Sequence, residues 1–408
     1  MKVLHIATGF QLSFPGGITN YVRTLAQTQI GQGIEVHVLA RPEQHPEAIP
    51  AGVRLQEYSP ATVHAFALGN TERDPQTKQI WRLLDQEHFD FVHIHMALDL
   101  PLEFLRRMST ERHRYIVSLH DYYYLCPRIY MVDVHGDVCH RVDTERCRQC
   151  IGVLDQVNFL RRVAQRFQMK LPRIPSDGSV QRLQIMREFL EGAALLLPVS
   201  TRVAEIYTEI APHGRYEVAH IGNLSADQVP ASKTFSEKIR LRFIGTLNVP
   251  KGAEVLQQLI AGVKRKDVEF HFHGRDQYKQ SQHLRDLGLI VHGGYKPADL
   301  DGIMADTDVG LVLPIWEDNG PQVVMEFINF KVPVIGTRRG GIPDFVTKEN
   351  GFLFDPDRPD EIAQACAWID GLTREQLQQI AAGMRALTTP AQHAQNILEI
   401  YQRLSVKP

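Results

Sequence analysis

The chain has 408 residues, more than one hydrophobic core usually supports, so the sequence predicts two domains. Hydrophobic residues make up 43% and charged residues 23%, the composition of an ordinary globular protein. The net charge of -2 argues against a nucleic-acid-binding protein, and no apolar stretch approaches the roughly 18 residues of a membrane-spanning helix. The start, MKVLHIATGF, has too short an apolar run for a signal peptide. We therefore expect a cytoplasmic protein whose five cysteines stay reduced rather than forming a disulfide framework.

Short β-branched runs alternate with longer helical patterns along the chain. A first series of strand candidates is KVLHIA, EVHVLA, FVHIH, YIVSLH and LLLPVS, and a second series is LRFIGT, VEFHFHG, VGLVLP and VPVIGT. Near-continuous apolar strands separated by amphipathic helices are typical of parallel sheets with both faces covered. The sequence therefore predicts an α/β protein with two Rossmann-like, doubly wound domains.

Gly, Asn, Ser, Asp and Pro interrupt the apolar pattern within residues 217–230, which places the joint between the domains there. We expect an N-terminal domain over 1–218 and a C-terminal domain over 219–387. The last stretch, 388–408, has helical spacing with no strand after it. This helix is predicted to return towards the N-terminal domain.

Two predicted strand–loop–helix junctions carry residues suited to an anion. Gly16 and Gly17 precede a helical pattern in the first junction, and Lys251 stands at the helix start in the second. Glycine lets a ligand approach the backbone, and a helix N-terminus offers N–H groups and a positive dipole to phosphate. A simple Gly-Gly turn and an exposed lysine are the alternatives.

The segment WEDNGPQVVMEFINFKVPVIGT, residues 316–337, predicts another helix start. Pro321 suits the first turn, and Asn319 or Gly320 can precede it as a cap. The amides of Gln322 and Val323 would then be donors without intrahelical acceptors, which suits a diphosphate.

Two carboxylates, Asp318 and Glu326, lie on either side of this helix start. Glu326, about one turn in, can accept hydrogen bonds from the hydroxyls of one sugar, and Asp318 from those of a second. A nucleoside diphosphate sugar has both a ribose and a hexose. A surface loop with solvated acids is the alternative.

The same segment resembles a signature of glycosyltransferase family 4, retaining enzymes of the GT-B fold. The family's E-x7-E pattern is matched with Asp318 in place of the first Glu and Glu326 as the second. GGIPDFV resembles the family's G-G-x-P-E-x-V, NGFLFDPDRPDEIAQA its usual continuation, and GTLNVPKG its G-R-x-x-x-x-K-G. PGGITNYVRTLA, FVHIH and LHDYYYLCPR fit as well, so the resemblance spans nearly the whole chain.

The resemblance implies domain roles and a reaction. Residues 1–218 would bind the acceptor and residues 219–387 the nucleotide sugar, with the two domains facing a central cleft. A hexosyl unit would move from a nucleoside diphosphate sugar to a hydroxyl of a glycan or lipid-linked acceptor, with retention of the anomeric configuration. Bacterial surface polysaccharide synthesis is the expected setting. No metal is required for catalysis, and nucleic acid is not an expected partner.

The resemblance also implies roles for residues at the matching positions. Glu326 would bind the ribose, Asp318 the donor sugar and Lys251 the diphosphate. His120 would lie beside the donor sugar and the acceptor and orient a hydroxyl, with a structural histidine as the alternative. The other donor-binding candidates are Gly16, Gly17, Gly245, Thr246, Asn319, Gly320, Pro321, Gln322 and Val323, and the candidate acceptor contacts are His95 and Asp121.

Two positions depart from the family pattern. Thr246 stands where the family usually has an arginine that holds the diphosphate, so another cation such as Arg275 or Arg338 would have to replace it. Asp318 is one methylene shorter than Glu. These departures keep a non-catalytic nucleotide-sugar binder as one alternative. A nucleotide-sugar 2-epimerase of GT-B fold, which needs no acceptor, is the other.

A cysteine-rich insertion is predicted over residues 126–150. Four thiols ending in C-x-x-C suit a tetrahedral structural zinc, and reduced thiols in a loop are the alternative. The candidate ligands are Cys126, Cys139, Cys147 and Cys150, with His135 and His140 nearby.

A basic amphipathic stretch follows in residues 159–192. Such a stretch can lie on an anionic membrane surface, which would make the protein peripheral to the inner face of the membrane and suit a lipid-linked acceptor. A solvated helix face is the alternative. The basic residues are Arg161, Arg162, Arg166, Lys170, Arg173, Arg182 and Arg187.

Overall fold

The computed structural model describes residues 1–7, 10, 16–43, 45, 49–58, 75–98, 100–111, 113–156, 160, 163–164, 166–167, 169, 172, 174–230, 232–235, 237–277 and 279–406. The chain forms two compact units: Met1–Ile221 together with Pro390–Pro408, and Gly222–Thr389. The predicted boundaries lie a few residues before these. The second unit is thus an insertion between two parts of the first.

The first unit contains a six-stranded sheet in which every neighbouring pair of strands is parallel. Its order is β3-β2-β1-β4-β5-β6. The strands are β1 (Lys2–Ala7), β2 (Glu35–Ala40), β3 (Arg54–Glu57), β4 (Phe91–Met96), β5 (Tyr115–Leu119) and β6 (Leu195–Pro198). The helices are Gly17–Gly31, Pro75–Glu87, Leu102–Thr110, Thr144–Cys150, Gly178–Glu191, Thr201–Ile210 and Pro390–Ser405.

The second unit repeats this architecture with a second parallel sheet, in the order β12-β11-β10-β7-β8-β9. The strands are β7 (Ile239–Leu247), β8 (Val268–Asp276), β9 (Leu289–Gly293), β10 (Val309–Val312), β11 (Val334–Thr337) and β12 (Gly351–Phe354). The helices are Ala253–Gly262, Ser281–Asp286, Leu300–Ala305, Gln322–Asn329, Pro359–Gly371 and Arg374–Gly383.

Both sheets have the doubly wound Rossmann order, which confirms the predicted fold class. The apolar strand residues are buried under the helices, as Val309, Leu311 and Ile335 are in the second unit. The strand order reverses between β1 and β4 in the first unit and between β7 and β10 in the second. Ligands of open α/β sheets bind outside the carboxyl ends of strands at such reversals, so these two places are where a site is expected.

The basic stretch does not form the predicted membrane-facing surface at Arg182. This side chain is 1% exposed and donates hydrogen bonds to the backbone oxygens of Tyr123 and Tyr124, at 2.5 and 3.4 Å. The carbonyl acceptors stabilise the buried guanidinium, so Arg182 belongs to the core. Arg187 forms an ion pair with Glu191 one turn later. Arg161, Arg162, Lys170 and Arg173 lie outside the described residues.

Among the described residues, no helix has both the length and the apolar character needed to cross a membrane.

Candidate active site

A pocket of about 320 Å³ lies at the carboxyl ends of β7 and β10, where the strand order of the second unit reverses. It brings together most of the donor-binding residues that the sequence predicts in this unit. The predicted residues that line it are Gly245, Thr246, Lys251, Asp318, Pro321, Gln322, Val323 and Glu326.

The helix Gln322–Asn329 points its N-terminus at this pocket, because Pro321, Gln322 and Val323 all line it. Pro321 itself is the residue before the helix, with φ −68° and ψ 106°. It therefore occupies the cap position predicted for Asn319 or Gly320, and the helix begins one residue later than predicted. The first-turn amides of a helix have no intrahelical acceptor, so this end of the pocket suits an anion.

Asn319 and Gly320 precede this helix without lining the pocket. Asn319 is 4% exposed, and its side-chain nitrogen has no hydrogen-bond partner among the described residues. Buried amide donors are normally paired, but this nitrogen lies outside the pocket, so donor binding by Asn319 stays a prediction. Gly320 is half-buried.

Lys251 and Asp318 form an ion pair in the pocket, with Nζ 2.5 Å from Oδ2. The lysine Nζ also lies 5.1 Å from the centre of the Trp316 ring. The next residue, Gly252, has φ +93°, and a Cβ there would lie 1.9 Å from the backbone oxygen of Leu313. Only glycine permits this close approach, which places the lysine beside the end of β10.

The loop that carries Asp318 is held by a second loop after β11. Gly341 N donates to the Asp318 backbone oxygen at 2.8 Å, and Gly340 N donates to Oε2 of the buried Glu317, also at 2.8 Å. Gly340 has φ +53°, and a Cβ there would lie 1.9 Å from the Asp318 oxygen. The motif GGIPDFV pointed to this loop, but no local pattern indicates that Glu317 and Gly340 fix the position of Asp318.

Glu326 is half-buried at the opposite side of the helix start from Asp318. Burial raises the pKa of its carboxyl to about 7. Tyr295, which follows β9 and also lines the pocket, has its pKa raised by its own burial and by the charge of Glu326. Tyr295 was not predicted, because nothing in the local sequence distinguishes it from an ordinary loop tyrosine.

Thr246, which replaces the family's arginine, has a cation as its neighbour on the adjacent strand. In the register of β7 and β8, Thr246 is the partner of Arg275. Arg275 is exposed, and no ion pair to it is found in the described part of the chain. Arg338, the other candidate, is paired with Glu361 and donates to the Leu353 oxygen at 3.1 Å.

The predicted histidines of the first unit belong to a buried cluster near the carboxyl ends of β1, β4 and β5. His120 is half-buried, with its Nε2 3.4 Å from Nδ1 of His95. Burial and the nearby His393 lower the pKa of His120 to about 3, so its imidazole is neutral at physiological pH. His95 is 2% exposed and stacked against His5. Neighbouring rings thus cover His95 in this structure, and its contact with an acceptor stays a prediction.

Asp121 makes a local turn. Its Oδ1 accepts a hydrogen bond from the amide of Tyr123 at 2.9 Å, and its backbone oxygen accepts one from the Tyr207 hydroxyl at 2.7 Å. Burial raises the pKa of the carboxyl to about 6, against the opposing effects of the Tyr123 amide and of Arg182. These contacts give Asp121 a structural role whether or not it meets an acceptor.

Gly16 and Gly17 are both exposed at the start of the helix Gly17–Gly31. Gly16 is extended, with φ −179°, and a Cβ there would meet no atom within 4 Å. The packing within the first unit therefore does not require glycine at this position. Room for a ligand remains the predicted reason for it.

The fold and the site together define a two-domain enzyme of the GT-B class, and comparison with solved structures supports this. Anabaena Alr3699/HepE, solved in complex with UDP and glucose, matches with a TM-score of 0.62 at 14% identity, over 98% of this chain and 99% of that one. The lipopolysaccharide outer core galactosyltransferase WaaB matches with a TM-score of 0.60 at 13% identity, over 99% and 100%. Identities this low show a shared fold alone.

Sequence comparison identifies the family. The model of glycosyltransferase family 4 matches residues 15–222, and that of the group 1 glycosyl transferases matches residues 238–369. The chain belongs to glycosyltransferase family 4 and is a glycosyltransferase. It is also 29% identical over 126 residues to the sulfoquinovosyl transferase SQD2 of Arabidopsis thaliana, a match that covers 29% of this chain and 24% of that protein.

Proposed function

We propose that the protein transfers a hexosyl unit from a nucleoside diphosphate sugar to a hydroxyl of a glycan or lipid-linked acceptor, with retention of the anomeric configuration. The observation that carries this proposal is the pocket of the second unit, where a helix N-terminus, Lys251, Asp318 and Glu326 meet. A surface loop with solvated acids would not gather these groups around one cavity.

The charges of the pocket suit a sugar linked to a diphosphate. The helix N-terminus and Lys251 offer positive potential to the phosphates, and the lysine is already oriented by Asp318 at 2.5 Å. A donor sugar whose hydroxyls bind Asp318 would place its phosphates within reach of the same lysine. The bond between sugar and phosphate is therefore proposed to lie beside this ion pair.

Glu326 is the proposed ribose contact. Its pKa of about 7 describes a carboxyl that burial has deprived of water. Two ribose hydroxyls would donate hydrogen bonds to the carboxylate and stabilise its ionised form. Binding of the nucleotide should therefore lower the pKa of Glu326 and release a proton in neutral solution.

Arg275 is the proposed replacement for the arginine that the family has at Thr246. Side chains of register partners on parallel strands leave the sheet on the same face, and Thr246 lines the pocket. The guanidinium of Arg275 therefore starts one strand away from the diphosphate site. A bidentate contact from this position would recover the phosphate binding that Thr246 cannot provide.

In the proposed reaction, the residues of the site mainly position the substrates and stabilise the developing charge. The helix N-terminus, Lys251 and Arg275 would stabilise the charge that develops on the leaving diphosphate, without a requirement for a metal. The acceptor hydroxyl would attack from the face that the diphosphate leaves, which retains the configuration. His120, neutral because its pKa is about 3, would orient a hydroxyl rather than supply a charge.

An acceptor in bacterial surface polysaccharide synthesis is part of this proposal, as the setting that the resemblance to glycosyltransferase family 4 implies. Contact with the inner face of an anionic membrane belongs to the same proposal, since a lipid-linked acceptor would be presented there. Arg166, which is exposed, is a described residue that suits such contact.

The first test is thermal stabilisation by UDP, GDP and ADP of the wild type, of Glu326→Ala and of the control Glu375→Ala, an exposed glutamate on another helix. A nucleotide at about 100 times its Kd should stabilise the native state by about 2.7 kcal/mol. One nucleotide is expected to stabilise the wild type and the control but not Glu326→Ala. Stabilisation by none of the three would contradict the proposed site.

Donor consumption, measured with and without candidate acceptors, then separates the possible functions. A transferase consumes the donor only with an acceptor, a 2-epimerase converts it without one, and a non-catalytic binder does neither. Thr246 is the observation that favours the binder.

If Arg275 replaces the missing arginine, Arg275→Ala should weaken nucleotide binding about 10- to 100-fold, while Arg338→Ala should change it little.

A further inference from the structure

Two groups of potential metal ligands occur in the first unit, and the histidine group is the more compact. Ligand atoms of His5, His93 and His95 lie within 4.8 Å of one another. Their ring nitrogens are already hydrogen-bonded, however. The contacts are His5 Nδ1 with His95 Nε2 at 2.9 Å, His5 Nε2 with Gln29 at 2.7 Å, His93 Nδ1 with Tyr401 at 2.6 Å, His93 Nε2 with Ser118 at 2.8 Å and His95 Nδ1 with His120 at 3.4 Å. A metal would have to displace these bonds, so the group is a hydrogen-bonded core network.

The second group consists of the four cysteines of the insertion, which share one small cavity. Cys126, Cys139, Cys147 and Cys150 all line a space of about 30 Å³. Within the described residues, the 4.8 Å spacing is met by the three histidines and not by any three of these sulfurs. The thiols thus surround one volume and would have to move closer together to bind one ion.

The backbone of the insertion converges on this cavity from three directions. Cys126 follows β5, with its amide donating to the Tyr122 oxygen at 2.7 Å. Cys139 is brought back by a tight hairpin, in which its amide donates to the Met131 oxygen at 2.7 Å. Cys147 and Cys150 lie on the helix Thr144–Cys150, whose N-terminus is capped by Asp143. An ion pair of 2.6 Å between Arg146 and Asp133 joins the helix to the hairpin.

The insertion has almost no hydrophobic core of its own. Within residues 128–150, all of which are described, Met131 is the one buried residue, and the helix Thr144–Cys150 buries none. Ile129 and Met131 also have φ of 71° and 50°, which is unusual for residues with large side chains and costs about 1–3 kcal/mol each. Small folds with so little apolar burial are usually held by disulfides or by a metal.

Charged side chains of both signs lie at the cavity, among them Asp143 and Asp133, the ion-pair partner of Arg146. Nε of Arg128 lies 3.2 Å from Sγ of Cys150, and Arg141 and Arg146 line the same space. Four thiolates around a divalent ion carry a net charge of −2, which guanidinium groups can balance. Hydrogen bonds to coordinating atoms are the usual second layer of a metal site.

We propose that Cys126, Cys139, Cys147 and Cys150 form a structural zinc site that fixes the insertion after β5. Zinc prefers tetrahedral thiolate ligands and C-x-x-C spacing, and it needs no oxidant in a reducing compartment. Binding of Zn²⁺ by four thiols releases four protons and forms four Zn–S bonds. The site lies outside the pocket of the second unit, so it does not depend on the proposed reaction.

The test begins with the zinc content of the full chain, expressed with added zinc and purified without a metal-affinity column. We expect elemental mass spectrometry to find about one zinc ion per chain. Cys147→Ala together with Cys150→Ala should lose it, while Cys366→Ala, which changes the cysteine buried in the second unit, should keep it. Zinc below about one tenth per chain in the wild type, or two disulfides in its intact mass, would overturn the proposal.

Cobalt substitution identifies the ligands independently of stability. Co²⁺ bound by four thiolates gives intense sulfur-to-cobalt charge transfer and tetrahedral visible bands, which Co²⁺ bound by histidines does not. We expect the thiolate spectrum in the wild type and in Cys366→Ala. One metal per chain without sulfur charge transfer would assign the ion to other residues, such as the histidine group, and refute the cysteine site.

Discussion

Both units carry ionisable groups at the corresponding ends of their sheets. The groups of the first unit are neutral, whereas those of the second unit are charged or partly charged. In the first unit, burial lowers the pKa of His5 to about 4 and that of His120 to about 3, so the cluster is neutral. In the second unit, Lys251 and Asp318 are charged partners, and Glu326 lies between its two states. One sheet order thus supports a neutral hydrogen-bonding network in one unit and a charged pocket in the other.

The charged pocket depends on glycine geometry, so its most damaging substitution is expected at Gly340. Gly340→Ala would place a Cβ 1.9 Å from the Asp318 oxygen at a φ of +53°. The loop would have to move, and Asp318 with it, so transfer should fall at least about 100-fold, since misplacement by about 1 Å has that effect. Steady-state kinetics should be compared with Gly383→Ala, where a Cβ meets nothing within 4 Å. Near-wild-type activity in Gly340→Ala would show that the position of the Asp318 loop is unimportant.

The second expected effect concerns the cation of the pocket. Lys251→Met removes the charge next to the leaving diphosphate and should lower the rate of transfer by about 10²–10³-fold. Lys348→Met is the control, because the Lys348 side chain is 92% exposed. Equal rates in the two variants would mean that the lysine only holds Asp318.

A third prediction uses the pKa of Glu326. Burial raises this pKa above its ordinary value, so ionisation of Glu326 opposes folding of the ligand-free protein. The contribution of Glu326 to the free energy of unfolding therefore declines as pH rises from about 4.5 to about 7. Ligand binding has the opposite dependence, because the hydroxyls need the carboxylate. Affinity for a nucleotide sugar should fall about tenfold per pH unit below 7 and be level above it.

Calorimetric titration from pH 5.5 to 8 checks this prediction. A nucleotide sugar is the proper ligand, because its diphosphate diester does not titrate in this range. Glu326→Gln should bind more weakly at pH 8 and show a level profile. The same slope in the variant and the wild type would assign the titration to another group.

The smallest effect is expected in the neutral network. Tyr401→Phe removes the partner of His93 Nδ1, at 2.6 Å, and should lower the free energy of unfolding by about 1–3 kcal/mol. Because the Tyr401 hydroxyl belongs to the first unit and the proposed donor pocket to the second, KM for the nucleotide sugar should not change. Chemical denaturation and kinetics on the same preparation test both parts, and a raised KM with unchanged stability would refute them.

Sequence patterns predicted the interior strands of both sheets and the edge strand β6, but not the other three edge strands. The strands that were not predicted, β3, β9 and β12, are all edge strands. β3 (RLQE) has no buried residue, and β9 (LIVHG) alternates exposed residues with less exposed ones. Both sequences therefore resemble loops. The central strands bury both faces, and this produces the continuous apolar runs that are visible in a sequence.

At the site, local patterns predicted residues that act close to their own helix or strand. Lys251, Asp318 and Glu326 were found because the loop and helix start that carry them have recognisable residues. The hydrogen bond from Gly341 to Asp318 was not predictable, nor was that between Tyr401 and His93, which lie 308 positions apart. Both depend on packing between distant segments. Arg182 was misjudged for the same reason, since only the fold supplies its carbonyl acceptors.

The helix Pro390–Ser405 belongs to the first unit although it follows the second unit in the sequence. It supplies Tyr401, which stacks on Phe91 with ring centres 5.0 Å apart, and His393, whose Nε2 lies 2.8 Å from the Tyr21 hydroxyl. On the ribosome, the second unit has its whole sequence before this helix emerges. The inserted unit can therefore finish folding first, although the first unit begins earlier in the sequence. The N-terminal sheet stays incompletely covered until the helix Pro390–Ser405 has emerged.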